Sequence, residues 1–293
     1  MELQGFGGLD AVVGVSHRGH RETAASGVDV GAPFRIASLT KTVTAAATVR
    51  ALRDKGFGVD IPVAEVLPEL ETELTVAQVL AQSSGLKQVV DAEAAAALGE
   101  GDDVFLAAAR LVVAGGQEYP PGERWAYYNG NYFLAGALLA RLTGGTFEDG
   151  LGGLISACGL TATGFLAPEG RAAFYPRARR PSGGLWSTVP DLLSFCEFLL
   201  QDKGLLAEIA RPRVTVPLAY GLGWAVGPAG MLYLNGRLQG YRAAMLLSPR
   251  DEWAAVMLVA DTDALPAIAQ YLDELQRPLT GVPMAQLIDD FAA

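Results

Sequence analysis

Histidine is nearly missing from this chain: His17 and His20 are the only two, and both flank one short turn near the start. A Ser-His-Asp hydrolase needs a histidine beside its nucleophile, and no Gly-x-Ser-x-Gly elbow is present either, so the sequence argues against that chemistry. Metal binding by the histidine pair lacks further ligands nearby. Cysteine is equally scarce. Cys158 and Cys196 lie far apart in no metal-type spacing, and general burial preference favours two buried thiols over a disulfide. Positive charge is short as well, with 22 basic against 32 acidic residues and a net charge of −10. No basic cluster exceeds Arg177-Ala178-Arg179-Arg180, so nucleic acid is not an expected partner. No apolar run approaches a membrane span, and Met1-Glu2-Leu3-Gln4-Gly5-Phe6 has neither a basic start nor an apolar leader core. A cytoplasmic protein without a membrane partner is the expectation. The glycine-rich stretches Gly5-Phe6-Gly7-Gly8 and Gly221-Leu222-Gly223 fit neither a P-loop nor a dinucleotide fingerprint, so no cofactor and no metal are expected.

What is present is enough apolar material for a large core: 51% of the 293 residues are hydrophobic and only 18% charged, which excludes disorder. Ala11 to Ser16 alternates, turns at His17-Arg18-Gly19-His20 and returns towards Val28, the pattern of a hairpin. Val43, Ala46, Ala47 and Leu52 recur at helical spacing between Ser38 and about Asp54, with Lys55-Gly56 as a stop. Helical periodicity also marks Thr75 to Ala81, Asp102 to Val113, Tyr132 to Leu142 and Pro190 to Leu200. The period then changes. Trp224 to Val226, Met231 to Leu234, Tyr241 to Leu247 and Trp253 to Ala260 read as successive antiparallel strands, with 248–252 as a hairpin loop. The predicted class is α/β in the α+β sense. Residues 1–36 and 206–293 form a sheet region, residues 37–205 form a mostly helical region, and a cleft lies between them.

The chemistry gathers around Ser38-Leu39-Thr40-Lys41. If a helix opens after Ala37, Ser38 and Lys41 stand one turn apart on one face, a nucleophile beside a candidate base. A lysine can activate the hydroxyl only if burial or a neighbouring cation keeps it partly neutral. The helix start also offers free N–H groups to an oxyanion. About one Ser-x-x-Lys arises by chance in a chain of this length, and a helix cap with a surface lysine is the alternative. Further along comes Tyr119-Pro120-Pro121-Gly122-Glu123-Arg124-Trp125-Ala126-Tyr127-Tyr128-Asn129, a turn leading to Tyr-x-Asn and then to an apolar helix.

With these motifs in order, the chain resembles the serine β-lactamase and penicillin-binding-protein superfamily, most of all its class C-like branch, which includes esterases and acyl transferases. The segments 80–86, 181–188 and 220–224 are also family-like. The resemblance implies a β-lactamase/transpeptidase-like fold, with Ser38 as the acyl-accepting nucleophile and Lys41 as the amine sharing its proton. Tyr127 would shuttle protons to the leaving group, and Asn129 would orient Lys41 and the substrate. The third motif departs from the family: Leu234-Asn235-Gly236 stands where relatives carry Lys-Thr-Gly or His-x-Gly. Gly236 still allows close approach of substrate, and the N–H of Arg237 with that of Ser38 would form the oxyanion hole. Either Arg237 or Arg242 could replace the absent cation. Trp186 and Trp224, beside glycines, are expected to touch substrate.

The expected activity is a cofactor-independent serine acyl hydrolase or acyl transferase, carboxylesterase-like, working through acyl-Ser38. Its partners would be a small-molecule acyl donor and an acceptor that is water, an amine or an alcohol. The apolar Leu234 and the expected location favour small-ester or amide chemistry of secondary metabolism, with neutral donors preferred. A β-lactamase or D,D-peptidase is the alternative within the fold, and a non-catalytic binding or sensor protein the alternative outside enzymes.

Overall fold

The structure is a computed structural model and describes Leu3, residues 5–167 and residues 175–291. β1 (Ala11–His17) and β2 (His20–Ser26) form the predicted hairpin around Arg18-Gly19. β3 (Phe34–Arg35) leads into a 3-10 turn, Ala37–Leu39, and on into α1 (Thr40–Asp54). The helical region then runs through α2 (Val63–Val66), α3 (Val76–Leu80), α4 (Ala92–Ala96), α5 (Val104–Ala114), α6 (Asn129–Thr143) and α7 (Phe147–Ala157). α6 is buried over most of its circumference, as its almost uninterrupted apolar sequence requires, and it packs on α1, α3, α5 and α7. Gly144 ends it in the left-handed conformation, φ 76°.

The chain returns through α8 (Arg180–Gly183), β4 (Trp186–Ser187), α9 (Val189–Gln201) and α10 (Lys203–Ala210). β5 (Ala225–Val226), β6 (Leu232–Leu238), β7 (Tyr241–Ser248) and β8 (Trp253–Val259) follow as an antiparallel meander. The large sheet has the order β2-β1-β8-β7-β6-β5, so its middle joins the two ends of the chain, with Ala11 opposite Val259 and His17 opposite Trp253. A second, two-stranded sheet pairs β3 with β4.

Three elements add to or depart from the sequence reading. α9 was assigned to the helical region, yet it packs on β1 and β8, and Gly14 makes room for it: a Cβ there would lie 2.5 Å from Val189 Cγ1. This helix of the 37–205 region thus lies against the large sheet. After β8 come α11 (Leu265–Thr280) and α12 (Ala285–Asp290), which the sequence reading did not anticipate. α11 packs on β7 and β8, and Asp273 accepts a hydrogen bond from the N–H of Met284 that fixes the start of α12 against it (2.5 Å). Among the described residues no helix is long and apolar enough to cross a membrane.

Candidate active site

Ser38 lies in the turn that joins β3 to α1, where β6 crosses. Ala37 sits at φ 46°, a left-handed conformation that costs a residue with a Cβ about 1–3 kcal/mol and is tolerated where surrounding structure imposes it. The surroundings do so here. Ile36 N donates to Leu185 O (3.1 Å), Leu185 N donates to Thr40 Oγ1 (3.3 Å), and Gly236 leaves β6 in contact with Ile36 and Ser38. Ser38 is 8% exposed.

Lys41, one turn further, is fully buried, as the helical spacing predicts for a residue on the same face as Ser38. Its Nζ lies within hydrogen-bond reach of Ser38 Oγ (3.1 Å) and Tyr127 OH (2.6 Å) and donates to the carbonyl of Ser182 (2.7 Å). The Ser38 and Tyr127 hydroxyls are themselves 2.6 Å apart and hydrogen-bonded. Burial pushes the Lys41 pKa well below its ordinary value, and the positive charge of Arg179 pushes it the same way. Burial pushes Tyr127 up, opposed by its hydrogen bond with Ser38. The two shifts act towards a neutral amine and a neutral phenol. A neutral amine has two N–H groups and one lone pair. Ser182 O takes one N–H, which leaves one donor and one acceptor for the two hydroxyls. The ring of Ser38, Lys41 and Tyr127 can thus hand a proton around without stranding a buried polar group.

The tyrosine is held in place by groups to which the sequence reading gave no role. Gln82, itself at φ 56°, accepts with Oε1 from Tyr128 N (3.1 Å) and Asn131 Nδ2 (2.7 Å), and its carbonyl accepts from Ala126 N (2.9 Å). Gln88 Nε2 donates to the Tyr127 carbonyl (2.9 Å). Tyr128 points the other way, into the core, where its OH accepts from Val90 N (3.2 Å). Asn129 is the first residue of α6 rather than its cap, and Tyr127 OH donates weakly to its Oδ1 at 3.4 Å.

On β6 the placements diverge. Gly236 faces the Ser38 turn as expected: a Cβ there would lie 2.4 Å from Ile36 O and 3.1 Å from Ser38 N. Leu234, two residues before it and on the same side of the strand, is 1% exposed and belongs to the core. Asn235 turns to the other side, where its Nδ2 donates to the carbonyls of Ile288 (2.7 Å) and Phe291 (3.1 Å). This tie lays the Phe291 ring against Tyr127, Trp125, Tyr220 and Tyr233, with centroids 5.7–6.4 Å away. The residue after α12 therefore walls the cleft beside the phenol. The two tryptophans expected to touch substrate are core residues instead, Trp186 being 2% and Trp224 0% exposed, because Trp186 packs on Arg35 and Tyr241 and Trp224 is enclosed by the core. Arg242 is engaged elsewhere, its Nε donating to Thr262 O (2.6 Å), and the Arg237 side chain is exposed. Cys158 and Cys196 are both free thiols. Among the described residues no group of His, Cys, Asp and Glu is placed to hold a metal ion.

An antiparallel sheet with a helical lobe over it, and a serine turn lodged between the two, is the β-lactamase/transpeptidase-like fold. The chain belongs to the Beta-lactamase family, whose model matches residues 4–277. It is similar in fold to a D-stereospecific amidohydrolase from Streptomyces sp., with a TM-score of 0.73 and 22% identity over 94% of this chain and 95% of that one. A class C β-lactamase from Rhodobacter sphaeroides gives a TM-score of 0.72 at 17% identity, over 86% of this chain and 90% of that one. Among curated proteins it is similar to Protein flp of Staphylococcus aureus (strain N315), 21% identical over 280 residues and 82% of this chain. The chain spans 55% of the length of that relative.

Proposed function

We propose that this protein is a cofactor-independent serine acyl hydrolase or acyl transferase. Ser38 attacks the carbonyl of a small-molecule ester or amide, forms an acyl-enzyme and passes the acyl group to water, an amine or an alcohol. The observation that carries this reading is the closed triangle of Ser38 Oγ, Lys41 Nζ and Tyr127 OH, with every edge within hydrogen-bond reach. Neutral Lys41 takes the Ser38 proton directly or through Tyr127, and Tyr127 delivers it to the leaving group. The N–H groups of Ser38 and Arg237 are the oxyanion donors in this scheme, supported by the contact between β6 at Gly236 and Ser38. Asn129, next to the phenol, holds the donor's polar group.

Hydrolysis and transfer share the first half of the cycle and differ in which nucleophile the cleft admits. Small-ester or amide turnover, of the carboxylesterase type, fits a β6 wall whose family cation position is the buried, apolar Leu234. The test is intact-mass detection of a covalent adduct after exposure to fluorophosphonate, activated esters and β-lactams, with and without amine acceptors. The wild-type protein should gain the mass of one acyl or phosphonyl group, and Ser38→Ala should gain none while remaining folded. An adduct of normal yield on Ser38→Ala removes the nucleophile assignment, and faster turnover of a cephalosporin than of esters makes the protein a β-lactamase.

A further inference from the structure

The densest basic run, Arg177-Ala178-Arg179-Arg180, is not used by the chemistry above, and two of its three arginines are neutralised. Arg177 donates to both oxygens of Glu148 (3.0 and 3.2 Å), to Asp102 Oδ1 (2.7 Å) and to the carbonyl of Glu100 (2.8 Å). Arg180 donates to Glu148 Oε1 (2.6 Å) and lies 3.8 Å from Glu100. Arg179 is different. Among the described residues it pairs with no carboxylate, and its guanidinium stacks over the Tyr175 ring, 5.2 Å from the centroid. Its backbone is part of the catalytic frame, since its carbonyl accepts from Ser182 Oγ (2.8 Å) and the Ser182 carbonyl accepts from Lys41.

The half-buried Arg179 side chain lines a cavity of about 190 Å³ with Gln88, Val90, Tyr127, Asn129 and Phe133. That volume equals the share of about six liquid waters, room for a carboxylate on a short linker. Asp91 borders the same cavity, where its Oδ1 accepts from Ala94 N (2.9 Å) in capping α4, and among the described residues it forms no ion pair with Arg179. The cation missing from β6 is not restored there, because Leu234 is apolar and buried, Arg237 is exposed and Arg242 is tied to Thr262. A guanidinium free of carboxylate partners, stacked on an aromatic ring and facing a cavity shared with Tyr127, suits a planar carboxylate that it can grip with two parallel hydrogen bonds. Its electrostatic reach to Lys41 agrees with that placement.

We propose that Arg179 is a specificity-determining residue that binds a carboxylate on the acyl donor in the cavity beside Tyr127, on the wall opposite β6. The substrate class is thereby narrowed to small esters or amides whose acyl part carries an anionic end. The neutral preference expected from Leu234 applies to the β6 wall alone. This inference rests on acylation of Ser38.

The probes are mono-4-nitrophenyl esters of dicarboxylic acids of about six to eight carbons, compared with their methyl diesters, which have the same shape without the charge. Acylation rates are read by intact mass, so the result does not depend on turnover. The wild-type protein should prefer the charged ester, and Arg179→Ala should lower the charged-to-neutral ratio roughly ten-fold or more, the effect of losing charge-assisted hydrogen bonds. Arg179→Lys should fall between the two, since it keeps the charge and loses the fork. Arg179→Gln, which keeps a long polar side chain without the charge, provides the same comparison if the alanine variant does not fold. An unchanged ratio in a folded variant, or a wild-type protein that takes the diester as readily as the charged ester or takes neither, overturns the inference. Failure of fluorophosphonate to label Ser38 in the wild-type protein overturns the acyl-enzyme reading itself, so the two failures are distinguishable.

Discussion

Gly236 and Ser38 are in backbone contact across the cleft: a methyl group on Gly236 would come within 3.1 Å of Ser38 N and 2.4 Å of Ile36 O. Both clashes are with backbone, which has no rotamer to escape into. Gly236→Ala should therefore push β6 away from the serine turn and widen the oxyanion site, with a loss of acylation rate of about 10²-fold or more, as when an oxyanion donor is removed. Acylation rate and thermal midpoint of the variant are the measurements. A folded Gly236→Ala protein with the wild-type rate would mean that β6 does not supply the oxyanion wall.

Tyr127 and Tyr128 are adjacent and point in opposite directions, one to Lys41 and the other to Val90 N. Tyr127→Phe should slow turnover by about two orders of magnitude or more, the range for a lost general acid–base. Tyr128→Phe removes one buried acceptor and should cost about 1–3 kcal/mol of stability with little change in rate. Equal rates in the two variants would end the proton-shuttle role of Tyr127.

Lys41 links the site to pH. Burial holds its pKa well below the ordinary 10.5, so between the two values the unfolded chain keeps a proton that the folded protein has released. Stability then rises with pH in that window, by up to about 1.4 kcal/mol per pH unit, and this contribution is flat below the folded pKa, where both states are protonated. The stability difference between the wild-type protein and Lys41→Met should accordingly increase as pH is raised towards about 10, read by urea unfolding at fixed ionic strength. Tyr127, whose pKa is raised, titrates above that range in the folded state and is common to both proteins. A difference independent of pH throughout would show that Lys41 is protonated alike in both states.

Asn235 fastens the segment after α12 to β6 and so positions Phe291 against Tyr127. Asn235→Ala and Phe291→Ala should each loosen this wall and raise the rate for bulky acyl donors relative to acetyl donors. Phe291→Ala should also destabilise the protein by about 3–5 kcal/mol if the segment remains packed, and by less if it detaches. Competition between acetyl and phenylacetyl esters measures the effect. Unchanged selectivity in both variants would separate this wall from substrate binding.

Much of the site could be read from the chain because its parts are local. Ser38 and Lys41 share a helix face, so their spacing places them together, whereas Tyr127 and Asn129 were reached through the family resemblance of the Tyr-x-Asn motif. The central strands were legible locally as well, since β7 from Ala243 to Leu247 and β8 throughout are apolar, with a turn between them. What escaped depends on distant partners. Nothing local marks Gln82 as the anchor of the Tyr127 loop, and nothing within the Arg177–Arg180 run separates the arginine without an acidic partner from the two that meet Glu148. α12 is short, and its attachment to Asn235 comes from another part of the chain. The tryptophans were misjudged because a glycine neighbour suits a tightly packed core as well as a cleft.

The order of strands also times the chemistry. β1 has β8 as its inner neighbour, and the serine turn rests on β6. β6 follows Ser38 by more than half of this chain, so the strand that frames the serine turn is made well after it. Pairing across such a separation is slow to form and cannot begin before both partners exist. On the proposed function, the serine turn of a nascent chain stays without its oxyanion wall until β6 to β8 have been made.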